Sequence, residues 1–314
     1  MSPREWNEID EDSKREVIKY LDYESRCNLK LCSKHDYRVV NSTKFIASKI
    51  KIHETVSQFK DDKTIIRIDI DTFTIWFIGR EEITRIDRGL NGELNERLSE
   101  IKQINRYDLL REFMDQFSYN SVFTAGMVEV DSLKLCPSPN WKFNFHGLSL
   151  VDVPDYRTWL RQLNSGLKSL HVGGDGEYTI REEISRMTIT ESLNLYKCID
   201  VRDKDLRRVT ATNLRIYMGE ITAEWVKKAI KNYLENGKRK DEFNVKLLFE
   251  EKQYDPFLFI PESLVIQINE ERSNEKRLCG EIIGGFRNTH GIQTNRYISI
   301  VGYSSILEIS CGIL

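Results

Sequence analysis

Two aspartates, a glycine-rich segment and a scatter of cysteines and histidines are the residues of this 314-residue chain from which chemistry could be built. Asp69 and Asp71 stand two apart in an alternating run, which puts both carboxylates on one strand face, as general acid–base work would need. Solvent-facing charges on an edge strand give the same pattern. His171-Val-Gly-Gly-Asp-Gly176 follows a strand-like run and offers backbone N–H groups to a phosphate. It lacks the Gly-Lys-Ser/Thr ending of a P-loop and reads as a turn, and Gly280 to Gly291 reads as two more glycine-containing turns. The six cysteines are Cys27, Cys32, Cys136, Cys198, Cys279 and Cys311. None forms a Cys-x-x-Cys pair, and a nucleophilic cysteine would need a base that the sequence does not place. None of His35, His53, His146, His171 and His290 lies four residues from another His, Cys or Glu, the helical spacing of a metal-binding pair. A Gly-x-Ser-x-Gly elbow is also missing. The sequence therefore predicts no catalytic residue, no cofactor and no metal.

The composition narrows the function classes further. Lys and Arg number 47 against 49 Asp and Glu, with 40% hydrophobic and 31% charged residues. That balance describes a globular chain and gives no basic excess for nucleic acid. Lys238-Arg239-Lys240, flanked by Asn236-Gly237 and Asp241-Glu242, reads as a solvated loop. No run reaches the ~18 apolar residues of a membrane span, and the N-terminal residues have no apolar signal core. With unpaired cysteines, the expectation is a reduced intracellular setting, cytoplasmic or nuclear, without membrane contact.

The elements begin with three short helical signals between Trp6 and Thr43. Ser13 and Glu16 form a capping-box pattern, followed by Val17, Ile18 and Leu21 at helical spacing. Asp22 can cap a second helix carrying Cys27, Leu29, Leu31 and Cys32. Ser33 can cap a third, with Asp36 in its first turn and Tyr37, Val39 and Val40 on its apolar side. Three helices this short offer more apolar side chains than they can bury among themselves. The excess suits either a partner's groove or the rest of the chain.

This segment resembles an F-box. Ile9-Asp10 stands at the start, Val17-Ile18 in the first helix, Leu21-Asp22 at the turn and Cys32-Ser33-Lys34 at the close. Ser25-Arg26 and the Leu31 to Lys34 run are similar to divergent nematode F-box proteins. Two departures are Asp10, where the family has proline, and Arg26, where leucine is common. The resemblance implies a three-helix F-box over residues 1–44. Its implied partners are a Skp-type adaptor, contacted through Ile9, Val17, Ile18, Leu21, Leu29, Leu31, Cys32 and Val39, and a cullin ligase complex. The competing reading makes these the first helices of an ordinary α/β protein.

Beyond a connecting stretch to about Lys60, Ile66, Ile68 and Ile70, then Phe73, Ile75 and Phe77, alternate on either side of Asp71-Thr72. They predict a strand hairpin. Leu94, Leu98, Ile101, Ile104, Leu109, Phe113 and Phe117 predict one long amphipathic helix or two shorter ones. From about residue 133 short apolar runs recur at Leu148, Leu170, Leu193, Leu214 and Val245. Helical pieces lie between them at 156–163, 180–187, 206–209 and 223–234. The period predicts an α/β fold with a degenerate leucine-rich-repeat-like solenoid of parallel strands stacked in chain order, Cys198 holding one consensus position. An ordinary sheet with crossover helices is the alternative. The stretch from Leu214 to Ile230 is similar to the F-box-associated domains of nematode F-box proteins, which implies that residues 45–314 bind a protein substrate. Asn194, Arg215 and Tyr217, lying between the apolar positions, are the candidate contacts.

The function expected is a non-catalytic, substrate-recognising adaptor of a Skp–cullin–F-box ubiquitin ligase. The alternatives are an α/β enzyme with a helical extension, or an F-box-like binder without ligase function.

Overall fold

The structure is a computed structural model that describes residues 3–56, 64–80, 82–118, 123–138, 141, 144–163, 166–198, 200–211, 213–217, 221–236, 243–248, 258, 267–268, 278–287, 293–302 and 306–313. The chain forms two compact units, residues 1–149 with 153–164, and residues 150–152 with 165–314. The first unit thus holds the N-terminal helices together with the sheet that follows them.

Four helices open the first unit: α1 (Pro3–Glu8), α2 (Glu11–Lys19), α3 (Tyr23–Cys32) and α4 (Lys34–Ser42). The N-terminal module therefore has one helix more than the three expected. The strands are β1 (Phe45–Val56), β2 (Thr64–Ile70), β3 (Phe73–Arg80), β4 (Ile83–Leu90), β5 (Glu93–Lys102), β6 (Phe123–Asp131) and β7 (Phe145–Val151). Helix α5 (Arg106–Ser118) lies between β5 and β6 in the chain, and α6 (Tyr156–Arg161) follows β7. In space the order is β7-β6-β1-β2-β3-β4-β5. β1 runs parallel to β6, and β1 to β5 form an antiparallel meander.

Residues 45–56, expected as a connection, are strand β1. The alternation is present but changes phase: Phe45 and Ala47 are buried, then Ile50, Ile52 and Glu54. The slip falls at Ser48 and Lys49, both exposed, while the register with β6 keeps one offset, Ala47 opposite Ala125 and Lys49 opposite Met127. The hairpin at Asp71-Thr72 forms as expected, with Ile66, Ile68 and Ile70 buried together. Leu94 to Ile101 are strand β5, not helix. Asn91 and Gly92, with φ of 52° and 82°, make the tight turn from β4. That pair of left-handed residues is the two-residue hairpin signal, and it overrides the helical spacing of the leucines. The helix begins only at Arg106 and buries Leu109 and Phe113.

The second unit contains β8 (Gly166–Gly173), α7 (Arg181–Arg186), β9 (Thr188–Leu195), a 3-10 turn (Asp203–Leu206), β10 (Asn213–Tyr217), α8 (Ala223–Asn236) and β11 (Phe243–Leu248). Thr222 Oγ1 accepts from Trp225 N at 3.3 Å and caps α8. β8, β9, β10 and β11 are parallel neighbours in chain order, so the Leu193 strand is flanked by those at Leu170 and Leu214. Their apolar residues stand in register, Leu170 opposite Leu193, Leu193 opposite Leu214, and Leu214 opposite Val245. All four are buried.

A second periodicity lies in the backbone. Ser132, Asp152 and Lys197 have φ of 54°, 49° and 56°, and Gly174 has 140°. Each stands two residues after a buried aliphatic, Val130, Leu150, Leu195 and Val172 respectively. A positive-φ residue thus follows each of these four strands, with φ near 50° at Ser132, Asp152 and Lys197 and a wider angle at Gly174.

Parallel stacking stops at β11. The sheet continues through β15 (Ile306–Ile313), β14 (Gln293–Gly302), β13 (Leu278–Arg287) and β12 (Gln267–Ile268), all antiparallel. A parallel return needs a crossover of a dozen or more residues. Only residues 288–292 and 303–305 separate β13, β14 and β15. This also corrects the expected turns at Gly280 to Gly291: Gly280, Gly284 and Gly285 lie inside strand β13. Residues 288–291, like Lys238 to Lys240, are outside the described residues.

Candidate functional site

The residues first considered for catalysis have structural partners. Asp69 accepts from Arg67 Nε at 2.9 Å and Thr74 Oγ1 at 2.7 Å. Asp71, at the hairpin turn, accepts from the backbone N of Lys49 at 2.9 Å. Both line a surface hollow of about 270 Å³ with Lys49, Lys51 and Arg67. Strand β2 sits between β1 and β3, so it is not the edge strand expected. At the glycine-rich turn, Asp152 Oδ1 accepts from Asp175 N at 2.7 Å, and a Cβ on Gly174 would lie 2.0 Å from that oxygen. A carboxylate of the chain itself therefore occupies the place an incoming phosphate oxygen would take. Cys198 is fully buried, and burial pushes its thiol up to about 12, too high for a nucleophile at neutral pH. Among the described residues no three of His, Cys, Asp and Glu are placed to hold a metal ion. No helix among them is long and apolar enough to cross a membrane.

What remains is the N-terminal module, whose helices are set by caps. Asp10 Oδ1 accepts from Ser13 N at 2.9 Å, Asp22 Oδ1 from Ser25 N at 2.7 Å and Ser33 Oγ from Asp36 N at 3.0 Å. Ser13 is thus not the cap expected. It lies inside α2 and donates its hydroxyl to Asp10 Oδ2 at 2.7 Å. These two bonds hold the Asp10 carboxyl below its usual range. The aspartate that replaces the family's proline starts the helix by a side-chain bond that proline could not make.

Ile18, Val39 and Val40 form the module's core, with Trp6, Leu21 and Leu29 packed against it. A polar knot joins α1, α2 and α4 beside it. Trp6 Nε1 and Ser33 Oγ donate to the buried Asp36 carboxylate at 2.9 and 2.7 Å, and Lys14 Nζ lies 3.8 Å away. Lys14 also sits over the Trp6 ring at 5.2 Å. Burial alone would raise the Asp36 pKa. The two hydrogen bonds and the Lys14 charge outweigh it, and the net shift is downward.

The second departure from the family, Arg26, is a buried staple. Its Nη2 donates to Ile18 O at 2.7 Å and Lys44 O at 3.0 Å, its Nε to Leu21 O at 3.2 Å, and its Nη1 to Thr43 O at 3.0 Å. The guanidinium carbon lies 4.7 Å from the centre of the Phe45 ring. Leu21, Thr43 and Lys44 follow the ends of α2 and α4, where helix geometry leaves acceptors unpaired, while Ile18 lies in the last turn of α2 and also accepts from Leu21 N at 3.1 Å. Burial lowers the Arg26 pKa to about 10, and the charge is still held at neutral pH. Tyr23, one turn earlier on α3, packs its ring against Phe45 and Phe73 at 5.9 and 5.5 Å.

The core leaves large apolar side chains outside. Leu31 is 86% exposed, Tyr20 89%, Tyr37 54% and Val17 42%. Val17 and Tyr20, three residues apart, share one face of α2. Of the contact residues expected from sequence, Val17, Leu31 and Cys32 are exposed, Ile9, Leu21 and Leu29 are half-buried, and Ile18 and Val39 are interior. A partner reaches the first group directly, while Ile18 and Val39 act only by holding the helices together. Tyr20 and Tyr37 were not singled out as contacts. Tyr20 carried a signal, its helical spacing from Val17. In the second unit Asn194 is half-buried and Arg215 exposed, and the side chain of Tyr217 is outside the described residues.

With this geometry in place, the comparisons with known proteins fall on the same segment. The F-box domain family matches residues 6–47, so the chain carries an F-box domain at its N-terminus. An uncharacterized F-box protein of Caenorhabditis elegans is 35% identical over 75 residues, covering 22% of this chain and 19% of the relative. The match thus spans about a fifth of the relative's length. No solved structure matches.

Proposed function

We propose that the protein is a non-catalytic substrate adaptor of a Skp–cullin–F-box ubiquitin ligase. The N-terminal helices bind a Skp-type adaptor and the second unit captures a protein target. The observation that carries the reading is the F-box match over helices whose own core is complete while Leu31, Tyr20, Tyr37 and Val17 remain in solvent. Exposed apolar side chains on packed helices cost solubility and mark a contact surface. F-box proteins generally work by holding a target near the ligase's loaded enzyme, which raises its effective concentration without chemistry of their own. In the second unit we read the in-register parallel strands and the recurring positive-φ residue as degenerate leucine-rich-like repeats. Stacked units of this kind offer a broad face for a partner.

The test is co-purification of the full chain with a Skp-type adaptor, wild type against Tyr20→Ala with Leu31→Ala. Deleting residues 1–44 is a poorer test, because Arg26 and Tyr23 would leave Phe45 and Phe73 bare. Loss of the adaptor with the melting temperature unchanged supports the reading. Equal recovery of both proteins refutes it.

A further inference from the structure

The apolar rungs of β8, β9 and β10 have a polar counterpart on the opposite face. Side chains alternate along a strand, so Ser169 and His171, Ser192 and Asn194, and Asn213 and Arg215 share the face that Leu170, Leu193 and Leu214 turn away from. Register aligns them in two rows, Ser169–Ser192–Asn213 and His171–Asn194–Arg215. No position in either row is a carboxylate. The second row continues by register to Lys246 of β11 and meets an acid only at Glu308 of β15. Arg215 is exposed and makes no ion pair or side-chain hydrogen bond among the described residues. Beside it, Asn194 Oδ1 and Asn213 Oδ1 are buried without a hydrogen-bond partner. Tyr196, 39% exposed, stands two residues beyond Asn194 on the same face. An exposed guanidinium with no acid beside it in its row is an open place for a carboxylate. Tyr and Arg are also the residue types that dominate protein contacts.

We infer that this face docks an extended segment of a protein partner that carries Asp or Glu side chains. Arg215 takes a carboxylate in its planar two-donor fork. Ser169 and Ser192, half-buried on the same face, hold the segment's backbone with their hydroxyls. A phosphorylated segment fits less well, since a dianionic phosphate calls for a cluster of cations, and among the described side chains of this row Arg215 is the exposed one. This inference rests on the reading that the second unit captures targets, and it names the chemistry of what is captured.

The test uses the full chain and a short fluorescein-labelled peptide that alternates Asp with Val, read by fluorescence anisotropy. Two further peptides replace Asp by Asn or by phosphoserine. The Asp peptide should bind, the Asn peptide should bind at least tenfold more weakly, and Arg215→Ala should weaken the Asp peptide at least tenfold with an unchanged melting temperature. Arg215→Lys, which keeps the charge but not the fork, should recover only part of the loss. Failure of the wild-type chain to bind the Asp peptide, equal binding of the Asn peptide, tighter binding of the phosphoserine peptide, or indifference to Arg215→Ala each overturns the inference. Skp-type adaptor recovery is measured on the same preparations. Arg215→Ala should leave it unchanged. Adaptor recovery without Asp-peptide binding sinks this inference alone, and peptide binding without adaptor recovery sinks only the ligase reading.

Discussion

Leu31→Ala separates a docking role from a folding role on one short helix. Leu31 is 86% exposed in the free protein, so truncating it removes almost no buried area, and stability should shift by less than about 0.5 kcal/mol. If the side chain enters a groove of the Skp-type adaptor, the complex loses the burial of one leucine, about 1.5–3 kcal/mol. At about 1.4 kcal/mol per tenfold, Kd should rise roughly 10- to 150-fold. Ile18→Ala is the opposite case. Ile18 has no exposed surface, and its truncation should cost about 2–5 kcal/mol of stability. The assay is isothermal titration of purified adaptor into each variant, paired with a thermal melt. Leu29 packs on the helical core, so it belongs in a separate variant and not in a double mutant with Leu31. A Leu31→Ala protein that melts like wild type and binds within twofold would refute the contact surface.

Other outcomes follow from the interior. Arg26→Leu removes four hydrogen bonds to carbonyls; Ile18 O keeps its bond from Leu21 N, and each buried acceptor left alone costs about 1–3 kcal/mol. The melting temperature should fall by several degrees, and Arg26→Lys should not restore it, because one ammonium cannot span the carbonyls at the ends of two helices. The folded Asp36 pKa lies below its ordinary 3.8, so its stabilising share is complete above that value and is lost as pH falls through the folded pKa. Thermal scans between pH 5 and 2.5 should show wild type losing stability below about pH 4, with Asp36→Asn less stable at pH 5 and flatter across the range. Gly174→Ala should lower the urea midpoint, since its Cβ would meet the Asp152 carboxylate at 2.0 Å. Gly166→Ala, with nothing within 4 Å, should be close to neutral.

Local chemistry made parts of this fold readable in advance. Asp22 and Ser33 cap helices because their short side chains reach an N–H three residues on, a signal contained within four residues. The Asp71-Thr72 hairpin and the aliphatic pairs of β8 to β11 also advertise themselves locally. Strand β1 was hidden by the phase slip at Ser48, which makes a strand look irregular. The β4–β5 hairpin was hidden because Leu94 and Leu98 lie four apart, a spacing that suits a helix and also returns to the same face of a strand. Within the module, Val17 and Ile18 are adjacent on a helix and cannot both face inward. Only tertiary packing decides which one does. Trp6 and Asp36 are 30 residues apart, and Arg26 and Lys44 are 18 apart. Spacing rules for helices and strands do not reach that far. Asp10 and Arg26 looked like defects in a motif and turned out to be a cap and a staple.

The Arg26 staple bears on how this chain can be cut and recombined. Only Thr43 and Lys44 lie between the last helix and the first strand, and Arg26 holds the carbonyls of both. The F-box here is therefore not a detachable cartridge hung on a flexible cord. Grafting it onto another protein at residue 44 would strand a buried cation, and fitting a foreign F-box to this sheet would leave Phe45 without its cover. Any change at position 26 disturbs the opening residues of β1, so the two segments behave as one mechanical part.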